Sequence, residues 1–244
     1  MTAALQDQAE GLRRLVNVRA VRCIGLLGPS DLGLGVLADA MAVAWSQRNR
    51  QTLVIEARSV AEPLTDDAPR ARLPNSSQAL LVWGQQLAPA DVVLGLLDPL
   101  DQGWPCLAFD EFVMVASATP NHLTQAYAQL KALSALSGRT SCHVMFTRTP
   151  ASAATRPMQN LQQTARKFLG CVPAELGIIP DDPALAQAAA IGRNAVESHP
   201  KSPAVRAIRV AVERLDSLAP QPGDWSAWLQ RLSLALQRRP GGKP

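Results

Sequence analysis

The sequence predicts an α/β chain: a doubly wound, mostly parallel sheet flanked by helices, with an amphipathic helix at each terminus. Three observations predict it. Short runs rich in Val, Ile and Leu recur at residues 21–27, 52–57, 91–97, 112–117, 142–147 and 174–179; helix-forming stretches alternate with them; and the runs are continuously rather than alternately apolar. Continuous apolarity suits a strand whose sheet is covered by helices on both faces, and parallel pairing needs a crossover between one strand and the next. A chain of 244 residues with 47% hydrophobic side chains can bury one substantial core, so one domain with short appendages is expected.

Taken in order, the first element is a helix over residues 5–16. Leu5, Ala9, Leu12 and Val16 fall on one helical face, with Glu10 and Arg14 a turn apart. Taken alone, such a stripe reads as a helix packed on its own domain. The first strand follows, then a helix over residues 34–48 and the second strand. Residues 61–77, with Pro63, Pro69, Pro74 and mixed charges, have no clear period and read as a loop on the rim of the sheet. Further helices are expected over residues 121–136, 153–169 and 202–218. The breaker Ala-Pro-Gln-Pro-Gly at 219–223 then precedes Asp224, which can cap a last helix carrying Trp225, Trp228, Leu229, Leu232 and Leu236 on one side, with Arg231, Arg238, Arg239 and Lys243 on its flanks and tail. That helix reads as detachable and basic. The division expected is 1–18, 19–219 and 220–244.

Composition narrows the function classes. The formal charge of +4 comes from scattered Lys and Arg, which permits an anionic partner without requiring one. No run approaches the length of a bilayer span, since residues 87–97 are interrupted by Pro89 and Asp91. The first ten residues hold Asp7 and Glu10 and no basic stretch leading into an apolar one, so no secretory leader and a cytoplasmic site of action are expected. Cys23, Cys106, Cys142 and Cys171 form no C-x-x-C pair and read as small core residues. His122, His143 and His199 form no constellation with them. Ser30 and Ser46 lack a G-x-S-x-G context, and Asp66, Asp67, Asp98, Asp101, Asp110 and Glu111 lack a discriminating spacing, so most of these carboxylates read as surface and turn residues.

The first strand runs into Gly28-Pro29-Ser30-Asp31-Leu32-Gly33-Leu34-Gly35 and directly into a helix, the place of a phosphate-binding loop in such a fold. A working loop needs glycines that turn backbone N–H groups toward phosphate, a lysine for the β and γ oxygens, and Ser or Thr for Mg²⁺. Leu34 stands at the lysine position and Gly35 at the hydroxyl position, while Asp31 adds negative charge where a polyanion would lie. The residues predict a Gly-rich turn without ligand, or weak nucleotide binding through backbone N–H groups, and not efficient hydrolysis.

Asp7-Gln8-Ala9-Glu10-Gly11-Leu12-Arg13 resembles the D-Q-A-x-x-L-R signature that opens the FlhG (FleN, YlxH) family of MinD/ParA-like P-loop ATPases, and the likeness continues along almost the whole chain. In that alignment Pro29 and Leu34 replace the two signature lysines. Glu56 and Arg58 replace the aspartates of an L-D-A-D strand end, and residues 91–98 match the Walker B region poorly. Residues 110–115 with Thr119-Pro120 resemble an A-D-E-V-L-V-V strand and T-x-P turn, and residues 126–133, 176–183 and 202–204 resemble later family segments.

The resemblance implies the P-loop fold with a degenerate Walker A loop, and a regulator of bacterial flagellar number and placement. It implies that Gln8 reaches into the active site of the signal-recognition-type GTPase FlhF and orients the attacking water, while Leu5, Ala9, Leu12 and Val16 dock the helix and Asp7 and Arg13 fix its register. It further implies FliM, FliN and the flagellar master transcription regulator as partners. The last helix resembles the membrane-targeting helix of MinD-like proteins, which predicts peripheral contact at the inner face of the cell membrane; a helix folded on the core or a partner is the competing reading. No cofactor is expected, with ATP or ADP and Mg²⁺ entering only if the degenerate loop still binds. Two rival functions remain open: an ATPase with residual nucleotide binding that cycles on the membrane, and a ParA-like DNA-associated scaffold, although no direct nucleic-acid contact is expected.

Overall fold

The computed structural model describes residues 20–58, 70–74, 76–137, 142–219 and 223–239. The expected helix over 5–16, with Asp7, Gln8, Ala9, Leu12 and Arg13, lies outside them. Strands β1 (Arg22–Leu27), β2 (Thr52–Glu56), β3 (Arg70–Arg72), β4 (Val92–Leu97), β5 (Glu111–Ala116), β6 (His143–Thr147) and β7 (Ala174–Ile179) form one sheet in the order β3-β2-β4-β1-β5-β6-β7. Every neighbouring pair is parallel. This is the doubly wound sheet that the apolar runs predict.

Side chains of the central strands alternate between two covered faces. Ile24, Leu26, Leu94, Leu96, Val113 and Val115 join α1 (Leu34–Ser46) and α7 (Pro203–Ser217), together with the shorter α5 (Pro183–Ala190) and α6 (Ala195–Ser198). Cys23, Leu27, Val93, Leu97, Phe112 and Met114 face the opposite layer. That layer holds α3 (Pro120–Ser137), α4 (Ala151–Leu169), α8 (Trp225–Gln237), Leu80 of α2 (Ser77–Gln86) and a 3-10 segment at Trp104–Ala108. Both faces are covered, so the central strands carry few polar side chains, and this is why they read as unbroken apolar runs.

The stretch read as a rim loop at 61–77 contains β3, which adds to the edge of the sheet beside β2. Its sequence, Arg-Ala-Arg, has no strand signal of its own; Arg70 is held by a forked contact to Asp39 of α1. Asp110 and Glu111 are not surface carboxylates. Asp110 pairs with Arg231 of α8, and Glu111 pairs with Arg22 at 2.6 Å. Burial of Glu111 pushes its carboxyl above the usual range despite that guanidinium.

The last helix is docked, with Asp224 capping it through the Ala227 N–H at 2.8 Å. Trp228 and Leu232 are fully buried, Leu236 nearly so, and Trp225 and Leu229 pack against the same cluster. Trp228 lies 5.0 Å from Trp225 and 6.4 Å from Trp83, ring centre to ring centre. The apolar stripe and Arg231, read from the sequence as a detachable basic face, are therefore engaged within the domain. All four cysteines are buried and free.

Candidate functional site

The chain leaves β1 toward β2 on one side of the sheet and leaves β5 toward β6 on the other, so the strand order reverses between β1 and β5. In open α/β sheets ligands bind at the carboxyl ends of the strands beside such a point. The loop after β1 and the turn after β5 meet there.

The loop is built closed. Gly28 has φ 155°, and a Cβ on it would come within 2.6 Å of the Val115 carbonyl oxygen and 3.3 Å of a Leu34 methyl. Pro29 leads into a 3-10 turn over Ser30–Leu32, and Gly33, with φ 69°, takes the left-handed conformation that starts α1. The Leu32 N–H donates to the Pro29 carbonyl at 3.2 Å and the Gly33 N–H to the Ser30 carbonyl at 3.1 Å. Two backbone donors that a phosphate would need are thus used by the loop itself. Leu34 is 1% exposed, its side chain part of the core.

Gly35 stands where a metal-binding hydroxyl would, and the space its Cβ would fill is occupied by the Arg70 guanidinium. That guanidinium contacts both Asp39 carboxylate oxygens, at 2.8 to 3.1 Å. At the end of β2, Glu56 is 1% exposed and is gripped by Arg58 through two contacts of 2.8 Å. Arg70 with Asp39 and Arg58 with Glu56 are therefore paired within the protein. A Mg²⁺-triphosphate does not fit these residues: the lysine and hydroxyl are absent, and the guanidinium beside Gly35 is already neutralised by Asp39.

Across the switch point, His122 Nε2 lies 3.1 Å from Asp31 Oδ2 and Nδ1 lies 2.6 Å from Ser117 Oγ, which also meets Thr119 at 3.1 Å. The composition is that of a Ser-His-Asp set, but the burial is inverted. Ser117 is 4% exposed whereas the Asp31 side chain is 66% exposed. A nucleophile must meet its substrate and its orienting acid is ordinarily shielded, so this chain of contacts is a clasp between two loops. No local pattern signals it, because Asp31 and His122 are 91 residues apart.

Beside the loop a cavity of about 390 Å³ is lined by Gly33, Leu37, Thr147, Arg148, Asp181 and Asp182 among others. Arg148 has φ 51°, a strained value for a non-glycine residue. No group of three or more metal-ligating side chains occurs among the described residues, and no described helix is long and apolar enough to cross a membrane.

No protein-family model and no curated protein sequence matches the chain. Solved structures do. MinD of Aquifex aeolicus aligns at a TM-score of 0.60 and 15% identity, covering 83% of this chain and all of that one. MinD of Pyrococcus horikoshii, solved with Mg-ADP, aligns at 0.58 and 17%, covering 81% and 96%. A ParA-family ATPase of Chlorobium tepidum aligns at 0.55 and 15%, covering 80% and 98%. The chain has the fold of MinD/ParA-type P-loop ATPases.

Proposed function

We propose that this chain is a regulator of bacterial flagellar number and placement of the FlhG kind: a pseudo-ATPase that stimulates the GTPase FlhF through residues 7–13. One observation carries the proposal. The D-Q-A-x-x-L-R signature precedes a MinD/ParA-type domain whose phosphate loop bonds to itself, with Leu34 in the core and Arg70 against Gly35. Such a domain supplies a scaffold rather than a turnover site, and Gln8 supplies an uncharged amide that both donates and accepts hydrogen bonds to water. FliM, FliN and the flagellar master transcription regulator are further partners on this reading.

The test is GTP hydrolysis by the cognate FlhF with added wild-type chain and with Gln8→Ala, each also assayed alone with ATP. Stimulation by wild type that collapses in the variant, without ATP turnover by either, is expected. Equal and negligible stimulation by both would discard the role of Gln8. The second reading, residual nucleotide binding, draws on the cavity beside Gly33 and on Mg-ADP in the Pyrococcus horikoshii MinD structure. Titration with ADP, with and without Mg²⁺, decides it; measurable affinity would favour that reading.

A further inference from the structure

The outer surface between α2 and α8 is an apolar groove with no described element over it. Leu80, Leu81, Gly84, Gln85, Leu229 and Ser233 line a cavity of about 170 Å³, and none carries a charge. Gly84 makes the groove deep: the Leu229 side chain reaches 3.3 Å from where a Cβ there would stand. Of these, Leu81 is 63% exposed. An apolar side chain this open, beside an uncharged cavity between two helices, marks a docking surface.

We propose that the occupant is the same chain's own residues 5–16, packed as a helix with Leu5, Ala9, Leu12 and Val16 turned into the groove. The point where the chain enters the domain supports this. The Val21 N–H donates to the Gly223 carbonyl at 3.0 Å, which fixes the incoming chain one residue from Asp224, the cap of α8. Leu229 is five residues beyond that cap, roughly 8 Å along the helix axis. Residues 17–20, extended, span up to about 13 Å, so the segment can reach the groove without strain. As a helix, residues 5–16 run roughly 18 Å, close to the length of α8 beside which they would lie. The cavity is near the size that takes a benzene ring, and thus accepts one leucine such as Leu12, while Ala9 permits close approach over the Gly84 gap. Docking leaves Asp7 and Arg14 in solvent and places Gln8 and Arg13 on the two flanks of the contact.

The same stripe cannot face the groove and a partner at once. If Gln8 acts on a GTPase, as proposed above, the groove holds that residue in reserve, and partner binding must displace the helix. The docking itself does not depend on that reading.

Cross-linking in the full chain tests it. The native cysteines are buried, and burial pushes the thiols of Cys23, Cys106 and Cys142 up to about 12, so engineered surface cysteines react first under a mild oxidant. Leu12→Cys with Leu81→Cys should yield an intramolecular disulfide, whereas Leu12→Cys with Ile191→Cys, at a position 65% exposed, should not. Equal yields for the two pairs, or no yield for either, overturn the proposal. A disulfide-linked dimer as the main product also overturns it and assigns the groove to a second copy. Leu81→Glu, at an exposed position that the fold tolerates, should speed tryptic cleavage after Arg13 and Arg14 about fivefold, the effect of roughly 1 kcal/mol of docking. An unchanged cleavage rate counts against the proposal. Neither readout involves the GTPase, so a failure of the Gln8 assay leaves both intact.

Discussion

Leu34 and Gly35 show how two residues decide what the loop can hold. Leu34→Lys would place an ammonium at a site 1% exposed and packed among core side chains. An uncompensated buried charge of this kind costs about 3 kcal/mol or more, and in a chain of this size that lowers Tm by about 6–12 °C. Gly35→Ser puts a Cβ into the space of the Arg70 guanidinium and disturbs its grip on Asp39. Restoring the two absent residues together is therefore expected to yield a less stable protein that still binds no Mg-ATP by titration calorimetry; tight binding in the double variant would contradict the closed loop. Residue by residue, the loop was legible in the sequence because its members are consecutive. Arg70 was not, since its partner Asp39 is 31 residues away, and neither was the Asp31–His122 clasp. Asp110 and Glu111 were misread for the same reason: their arginines come from β1 and α8, distant in sequence.

At the scale of elements, Asp182 joins two helices. Its carboxylate accepts the Ala184 N–H at 2.9 Å at the start of α5, the Ser202 hydroxyl at 2.5 Å and the Ala204 N–H at 3.2 Å at the start of α7. The Ser202 hydrogen bond first, and the Ala184 N–H next, hold this carboxyl below its ordinary value. A depressed carboxylate contributes stability above its unfolded pKa of about 3.9 and loses it as pH falls through the lower folded value. Asp182→Ala should cost about 1–2 kcal/mol at pH 6, the range for a lost cap, and the gap to wild type in urea melts should narrow at pH 3. A gap that stays constant with pH would mean that the carboxylate charge contributes nothing. The long apolar strands and the helices with a clear period were legible at this scale. α2 was not, because Leu80, Leu81, Val82 and Trp83 are consecutive and show neither a helical nor a strand period. β3 was missed because three residues, two of them Arg, carry no propensity signal.

For the whole molecule, the question is what it would take to free α8 for a lipid surface. Its exposure would uncover Trp228, Leu232 and Leu236, each worth about 2 kcal/mol of burial, or roughly 6 kcal/mol together. That is on the order of the entire stability of an ordinary domain. It would also break the contact of Arg231 with Asp110 and the Trp83–Trp228 packing. A lipid interface offers the same tryptophans and arginine a favourable setting, so the balance turns on how firmly the domain holds the helix. Wild-type protein is expected to remain in the supernatant with vesicles of mixed neutral and anionic lipid and to keep the near-ultraviolet circular dichroism of its tryptophan cluster. Asp110→Ala removes the carboxylate that anchors Arg231 and leaves a guanidinium 28% exposed beside a buried face; it should raise the vesicle-bound fraction and reduce the tryptophan signal in step. Wild-type protein that pellets with vesicles and loses that signal would show the docked state to be weakly held, and α8 would then be a membrane element that the domain merely stores.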